Sequence, residues 1–80
     1  MIERKIQLPS VKEVKDFVSA VSTCSCDIDI SADRYIIDAK SIMGIFSLDL
    51  SKPLALKINS TDENEIADAL GKIERFIVNE

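Results

Sequence analysis

The sequence predicts an α+β domain: one four-stranded antiparallel sheet covered on one face by three helices. Three observations lead there. Short apolar runs, most of them alternating with polar residues, begin near Ile2, Cys24, Tyr35 and Leu54. Apolar residues recur at helical spacing from Val11 to Val21 and from Ile66 to Ile77. The chain has 80 residues, which makes one domain, 1–80, able to bury roughly 60% of its unfolded surface. One sheet with helices on one face is the simplest packing of such elements.

Each element has a local reason. Ile2, Arg4, Ile6 and Leu8 alternate with Glu3, Lys5 and Gln7, a strand pattern with Arg4 the odd member on the apolar face, and Pro9 ends it. Val11, Val14, Phe17, Val18 and Val21 give an amphipathic helix over about 11–22. Ser10-Val11-Lys12-Glu13 has the form of a capping box. Cys24, Cys26, Ile28 and Ile30 alternate with polar residues, so the second strand has one wet face. Ser31-Ala32-Asp33-Arg34 is the expected turn, and Tyr35-Ile36-Ile37-Asp38 begins the returning strand. Ser41 can cap a short helix running to Ser47 or Leu48, and Leu54 to Asn59 reads as the fourth strand. Ser60, Thr61 and Asp62 are three candidate caps for a last helix with the stripe Ile66, Ala69, Leu70, Ile73, Phe76 and Ile77. The order is βαββαβα.

Composition narrows the function. Hydrophobic residues are 46% and charged residues 30%, a globular balance. The net charge of −4, with no basic cluster longer than a pair, disfavours nucleic-acid binding. No apolar run approaches the length of a membrane span, and Met1 to Ile6 carries charges where a signal peptide has an apolar core, so a cytoplasmic location is expected. Cys24 and Cys26 read as two small buried hydrophobes in a reduced compartment. The aspartates at 27, 29, 33 and 38 are too dispersed for a calcium loop, and Asp62-Glu63-Asn64-Glu65 reads as the solvated first turn of a helix. No cofactor and no metal are expected.

The segment Ala39-Lys40-Ser41-Ile42-Met43-Gly44, extended by Ser47-Leu48, carries a family signal. It resembles the regulatory-serine region of the histidine-containing phosphocarrier (HPr) family of the bacterial phosphotransferase system. That family reads Lys/Arg-Ser-Ile-Met-Gly-hydrophobic-Met-Ser-Leu here. The resemblance runs over essentially the whole chain and implies the HPr-like open-faced β-sandwich. The family's carrier motif, roughly Gly-hydrophobic-His-hydroxyl/Ala-Arg-Pro, does not carry over. The matching run is Leu8-Pro9-Ser10-Val11-Lys12-Glu13, and the chain contains no histidine. Ser10 falls at the histidine position, Lys12 at the arginine position and Glu13 at the proline position.

A histidine carrier forms a phosphoramidate that passes its phosphoryl group on readily, whereas a serine ester is a poor donor. Lys12 lacks the two-pronged grip of a guanidinium. Ser10 is better explained as a helix cap than as a nucleophile, because no histidine is present to activate it. Histidine phosphoryl transfer is therefore not expected, nor is an enzyme. Ser41 is the regulatory phosphorylation site that the resemblance implies, with Ile42, Met43 and Phe46 as an exposed apolar patch for partners and Lys12 as a further protein contact. The implied partners are an HPr kinase/phosphorylase and a catabolite-control regulator. In the bland reading Ser41 only caps the short helix, and the chain is a structural or assembly module that reuses the fold.

Overall fold

A computed structural model describes residues 2–32 and 34–78. The elements are β1 (Ile2–Ile6), α1 (Val11–Val21), β2 (Asp27–Ala32), β3 (Tyr35–Asp38), α2 (Ile42–Phe46), β4 (Leu54–Asn59) and α3 (Glu63–Ile73), followed by a 3-10 turn at Glu74–Phe76. The four strands form one antiparallel sheet in the order β1-β4-β2-β3. This is the expected α+β architecture.

Register follows from the apolar pattern, because a one-residue slip would turn every side chain to the wrong face. Ile2, Ile58 and Ile28 lie abreast, as do Arg4, Leu56, Ile30 and Ile37. These rows face the helices. The rows between them, Glu3-Lys57-Asp29-Asp38 and Lys5-Ala55-Ser31-Ile36, form the open face. Arg4 sits on the apolar side but at the outer strand, where it is exposed and donates from Nη1 to the Glu3 carbonyl at 2.8 Å.

The core lies between sheet and helices. Val14, Phe17 and Val21 from α1, Ile45 from α2, and Ala69 and Ile73 from α3 are all fully buried against Ile6, Ile28, Ile30, Leu54, Leu56 and Ile58. Phe17 meets Phe76 edge to face, with ring centroids 5.5 Å apart at 87°. That quadrupole-favoured arrangement adds to the apolar area both rings remove from water. Among the described residues no polar side chain is buried.

Caps set where the helices begin. Ser10 is extended, with φ −144 and ψ 165, and its Oγ accepts from the Glu13 amide at 3.3 Å. Ser41 does the same for α2. Of the three candidates for α3 the cap is Asp62, whose carboxylate accepts from Asn64 and Glu65 at 2.8 and 3.4 Å. Ser60 instead donates to Glu65 at 2.7 Å.

Four expectations need correction. β1 ends at Ile6, although Leu8 is fully buried beyond it. Cys24 and Cys26 precede β2 rather than lie in it, and both are buried free thiols. Burial raises the Cys24 pKa, keeping it a thiol. The hairpin is tighter than expected: Ser31 and Ala32 belong to β2, with Ala32 opposite Tyr35, and Asp33 lies outside the described residues. The last helix stops at Ile73. Phe76 lies in the 3-10 turn, and Ile77 pairs with Ile6. The Gln7 amide donates to the Phe76 carbonyl at 3.0 Å and the Val78 amide to the Lys5 carbonyl at 2.9 Å. The chain leaves the helix because the outer edge of β1 offers backbone groups that need partners.

Candidate functional site

Two serine-capped helix starts carry the positions of interest, on helices α1 and α2 that pack against each other. At the first, Ser10 is exposed and its hydroxyl serves as the cap of α1. Lys12 is also exposed, but its ammonium turns along the helix to Asp16 at 3.2 Å. The same Asp16 oxygen accepts from Arg75 Nη2 at 2.8 Å. The Arg75 guanidinium in turn lies 4.6 Å from the centre of the Phe76 ring. Lys12 is thus held one turn away from Ser10, toward a carboxylate already shared with a second cation. Exposed pairs of this kind are screened by solvent, so they set an orientation preference and not a lock.

The Lys12–Asp16 pair has the i, i+4 spacing of a helical ion pair, and that signal is present in the sequence. Arg75 is 59 residues from Asp16, and no local pattern announces it. The Arg75 hydrogen bond, and after it that of Lys12, holds the Asp16 carboxyl below its ordinary pKa. A depressed folded-state pKa contributes stability that is fully present above the unfolded value and lost as pH falls through the lower folded value. Asp16→Asn is therefore expected to be less stable than the parent at neutral pH. The difference should narrow as pH falls below the ordinary aspartate range, as urea unfolding at pH 7 and at about pH 3 would read. A gap that persists unchanged at the low pH would contradict the pairing.

At the second start, Ser41 is exposed with φ −97 and ψ 99. Its Oγ accepts from the Gly44 amide at 3.2 Å, its carbonyl from the Ile45 amide at 3.1 Å, and its own amide donates to the Asp38 carbonyl at 3.0 Å. Gly44 fits closely under this cap: a Cβ there would lie 3.1 Å from Ser41 Oγ, so the hydroxyl would have to shift by a few tenths of an ångström, and 3.4 Å from Ile37 Cδ1, an ordinary contact. Lys40, the residue before Ser41, is tied elsewhere, donating from Nζ to the Cys24 carbonyl at 3.0 Å.

The apolar residues around Ser41 divide between core and surface. Ile45 is fully buried, Ile42 is half-buried against the core, and Met43 and Phe46 are 76% and 36% exposed. Val11, which the periodicity assigns to the buried stripe of α1, is 56% exposed. It occupies the first turn, beyond the reach of the core that covers Val14. Among the described residues no cluster of metal-ligating side chains and no pocket occurs.

Fold and site together define a small open-faced β-sandwich whose two serine caps lie on α1 and α2. A family model described as the PTS HPr component phosphorylation site matches residues 11–79. The chain is similar to the crystal structure of HPr-C-His from Thermoanaerobacter tengcongensis, with 31% sequence identity and a TM-score of 0.71, over 91% of this chain and 90% of that one. No curated protein matches. The chain belongs to the HPr family of the phosphotransferase system. Members of that family are phosphocarriers, not enzymes in the usual sense, and they work by contact with other proteins of the system.

Proposed function

We propose that this chain is a regulatory or adaptor member of the HPr family, without histidine phosphocarrier activity, switched by phosphorylation of Ser41. The observation that carries the reading is the contrast between the two caps. Ser10 takes the position of the carrier histidine in a chain that contains no histidine, and its hydroxyl is engaged as a cap. Ser41 keeps the family's serine, its glycine and its apolar neighbours.

Three features oppose phosphoryl transfer at Ser10. A serine ester does not hand its phosphoryl group on as a phosphoramidate does. Lys12 turns to Asp16. Glu13 adds a negative charge in the first turn of the helix, where a phosphate would be repelled. At Ser41 a phosphate would instead meet the amides of the first turn of α2 and would present its oxygens beside exposed Met43 and Phe46. Charge next to an apolar patch is a surface that a partner can distinguish from the unmodified one. By family resemblance the modifying protein is an HPr kinase/phosphorylase, the reader is a catabolite-control regulator, and the setting is the cytoplasm.

The reading is tested by titrating such a regulator with the chain before and after phosphorylation at Ser41. Binding that requires the phosphate, and weakens when Met43 is replaced by alanine, is the expected result. Equal affinity for both forms would contradict it.

A further inference from the structure

The sheet has two outer strands, and only one of them is covered. β1 is flanked by the chain's own C-terminal segment through the Ile6–Ile77 bridge and the bond from the Val78 amide to the Lys5 carbonyl. Among the described residues no strand pairs with the outer side of β3, where the Asp38 carbonyl alone is taken, by the Ser41 amide. Its side chains are also unusually apolar for an edge: Tyr35 is 64% and Ile36 72% exposed. Native sheets normally guard such an edge with charge, proline or a bulge.

The backbone of β3 selects which groups face outward. The Ala39 amide donates to the Ile28 carbonyl at 2.8 Å, so Ala39 points its backbone groups into the sheet. By the alternation of an antiparallel ladder, Ile37 and Tyr35 do the same, and Ile36 and Asp38 turn their backbone groups outward; the Asp38 carbonyl already accepts from the Ser41 amide at 3.0 Å, so Ile36 offers both outward groups and Asp38 only its amide. A second copy related by a two-fold axis perpendicular to the sheet must pair outward residues with outward residues.

Charge distinguishes among the few registers this allows. Ile36 opposite Ile36 brings Tyr35 against Ile37, and Arg34, the turn residue before the strand, against Asp38. A shift of the partner by two residues either way opposes Arg34 to Ile36 or Asp38 to Ile36 and forms no ion pair. Both charges lack an ionic partner of their own among the described residues. Arg34 is exposed. Asp38 accepts from the Lys40 amide at 2.9 Å, which leaves its charge unpaired. It stands directly opposite Asp29, which has Lys57 on its other side and accepts from Asn59 Nδ2 at 2.7 Å. Like charges opposite one another across a ladder are unfavourable, and an arginine from outside would relieve this pair.

We infer that β3 is a self-association edge, joining two copies antiparallel about Ile36 into a continuous eight-stranded sheet, with Arg34 of each copy paired to Asp38 of the other. The contact is short and therefore weak and concentration-dependent.

Sedimentation equilibrium of the full chain up to about 1 mM tests it. The parent should show a monomer–dimer equilibrium. Arg34→Asp, Asp38→Arg and Ile36→Lys should each weaken it about tenfold or more, with melting curves confirming that each variant is folded. Mixing the Arg34→Asp and Asp38→Arg variants should restore association, because only the mixed pair has opposite charges at both contacts. A monomeric parent throughout would overturn the inference. So would a dimer that tolerates both Arg34→Asp and Ile36→Lys, two changes at exposed positions that leave the core intact.

Discussion

Phe17→Ala is expected to lower stability by about 3–5 kcal/mol. Phe17 is fully buried on the inner face of α1 and is the partner of Phe76 in the edge-to-face pair at 5.5 Å. Truncation removes a large apolar side chain, leaves a cavity between α1 and the sheet, and strips the ring contact that anchors the 3-10 turn. That turn leads into the segment covering β1, and Arg75, which holds Asp16, is part of it. The loss is a large share of the roughly 5–15 kcal/mol that folded domains possess, and a chain this small sits toward the low end. Urea unfolding measures it directly. A loss below about 1 kcal/mol would mean that α1 and the C-terminal turn are not packed as described.

The second large effect is a gain. Ser10→His combined with Lys12→Arg should acquire acid-labile phosphorylation from phosphoenolpyruvate and the enzyme that charges the HPr family, where none is expected of the parent. The expected rise is at least about a hundredfold, the scale set by one well-placed reacting side chain. The fold belongs to the family, and the double variant restores the reacting group and its steadying guanidinium while Glu13 stays in place. Asp16 should compete for the new arginine as it does for Lys12, so adding Asp16→Asn should raise the rate further. If the double variant is well folded and remains unlabelled, the deficit lies in the docking surface as well as in the reacting residues.

Much of the architecture was legible because its causes are local. The stripe Val14, Phe17 and Val21 and the alternation through Ile28 and Ile30 report burial directly, and all five are buried. Leu54, Leu56 and Ile58 do the same for β4, which lies beside β2 with Leu56 opposite Ile30. Ser10 and Ser41 announce helix starts by residue type alone. The segment around Ser41 was legible because its motif is contiguous, whereas the close fit of Gly44 under the cap is visible only in three dimensions.

What was hidden depends on long-range pairing. The stripe of α3 continues in register through Phe76, so periodicity alone could not show that the chain tightens after Ile73 to reach β1. Val11 has helical spacing but no sheet beneath it. Arg75 meets Asp16 across 59 residues, and that contact helps decide where Lys12 points. Sequence spacing reads which face a residue occupies, but not what stands opposite that face.

Whether the chain has kept a serine switch while losing the histidine carrier site is tested most directly by intact mass. The chain would be incubated with an HPr-type serine kinase and ATP, beside Ser41→Ala treated identically. One added phosphate on the parent and none on the variant is the expected result. No addition to the parent, or an addition that survives in Ser41→Ala, would contradict it.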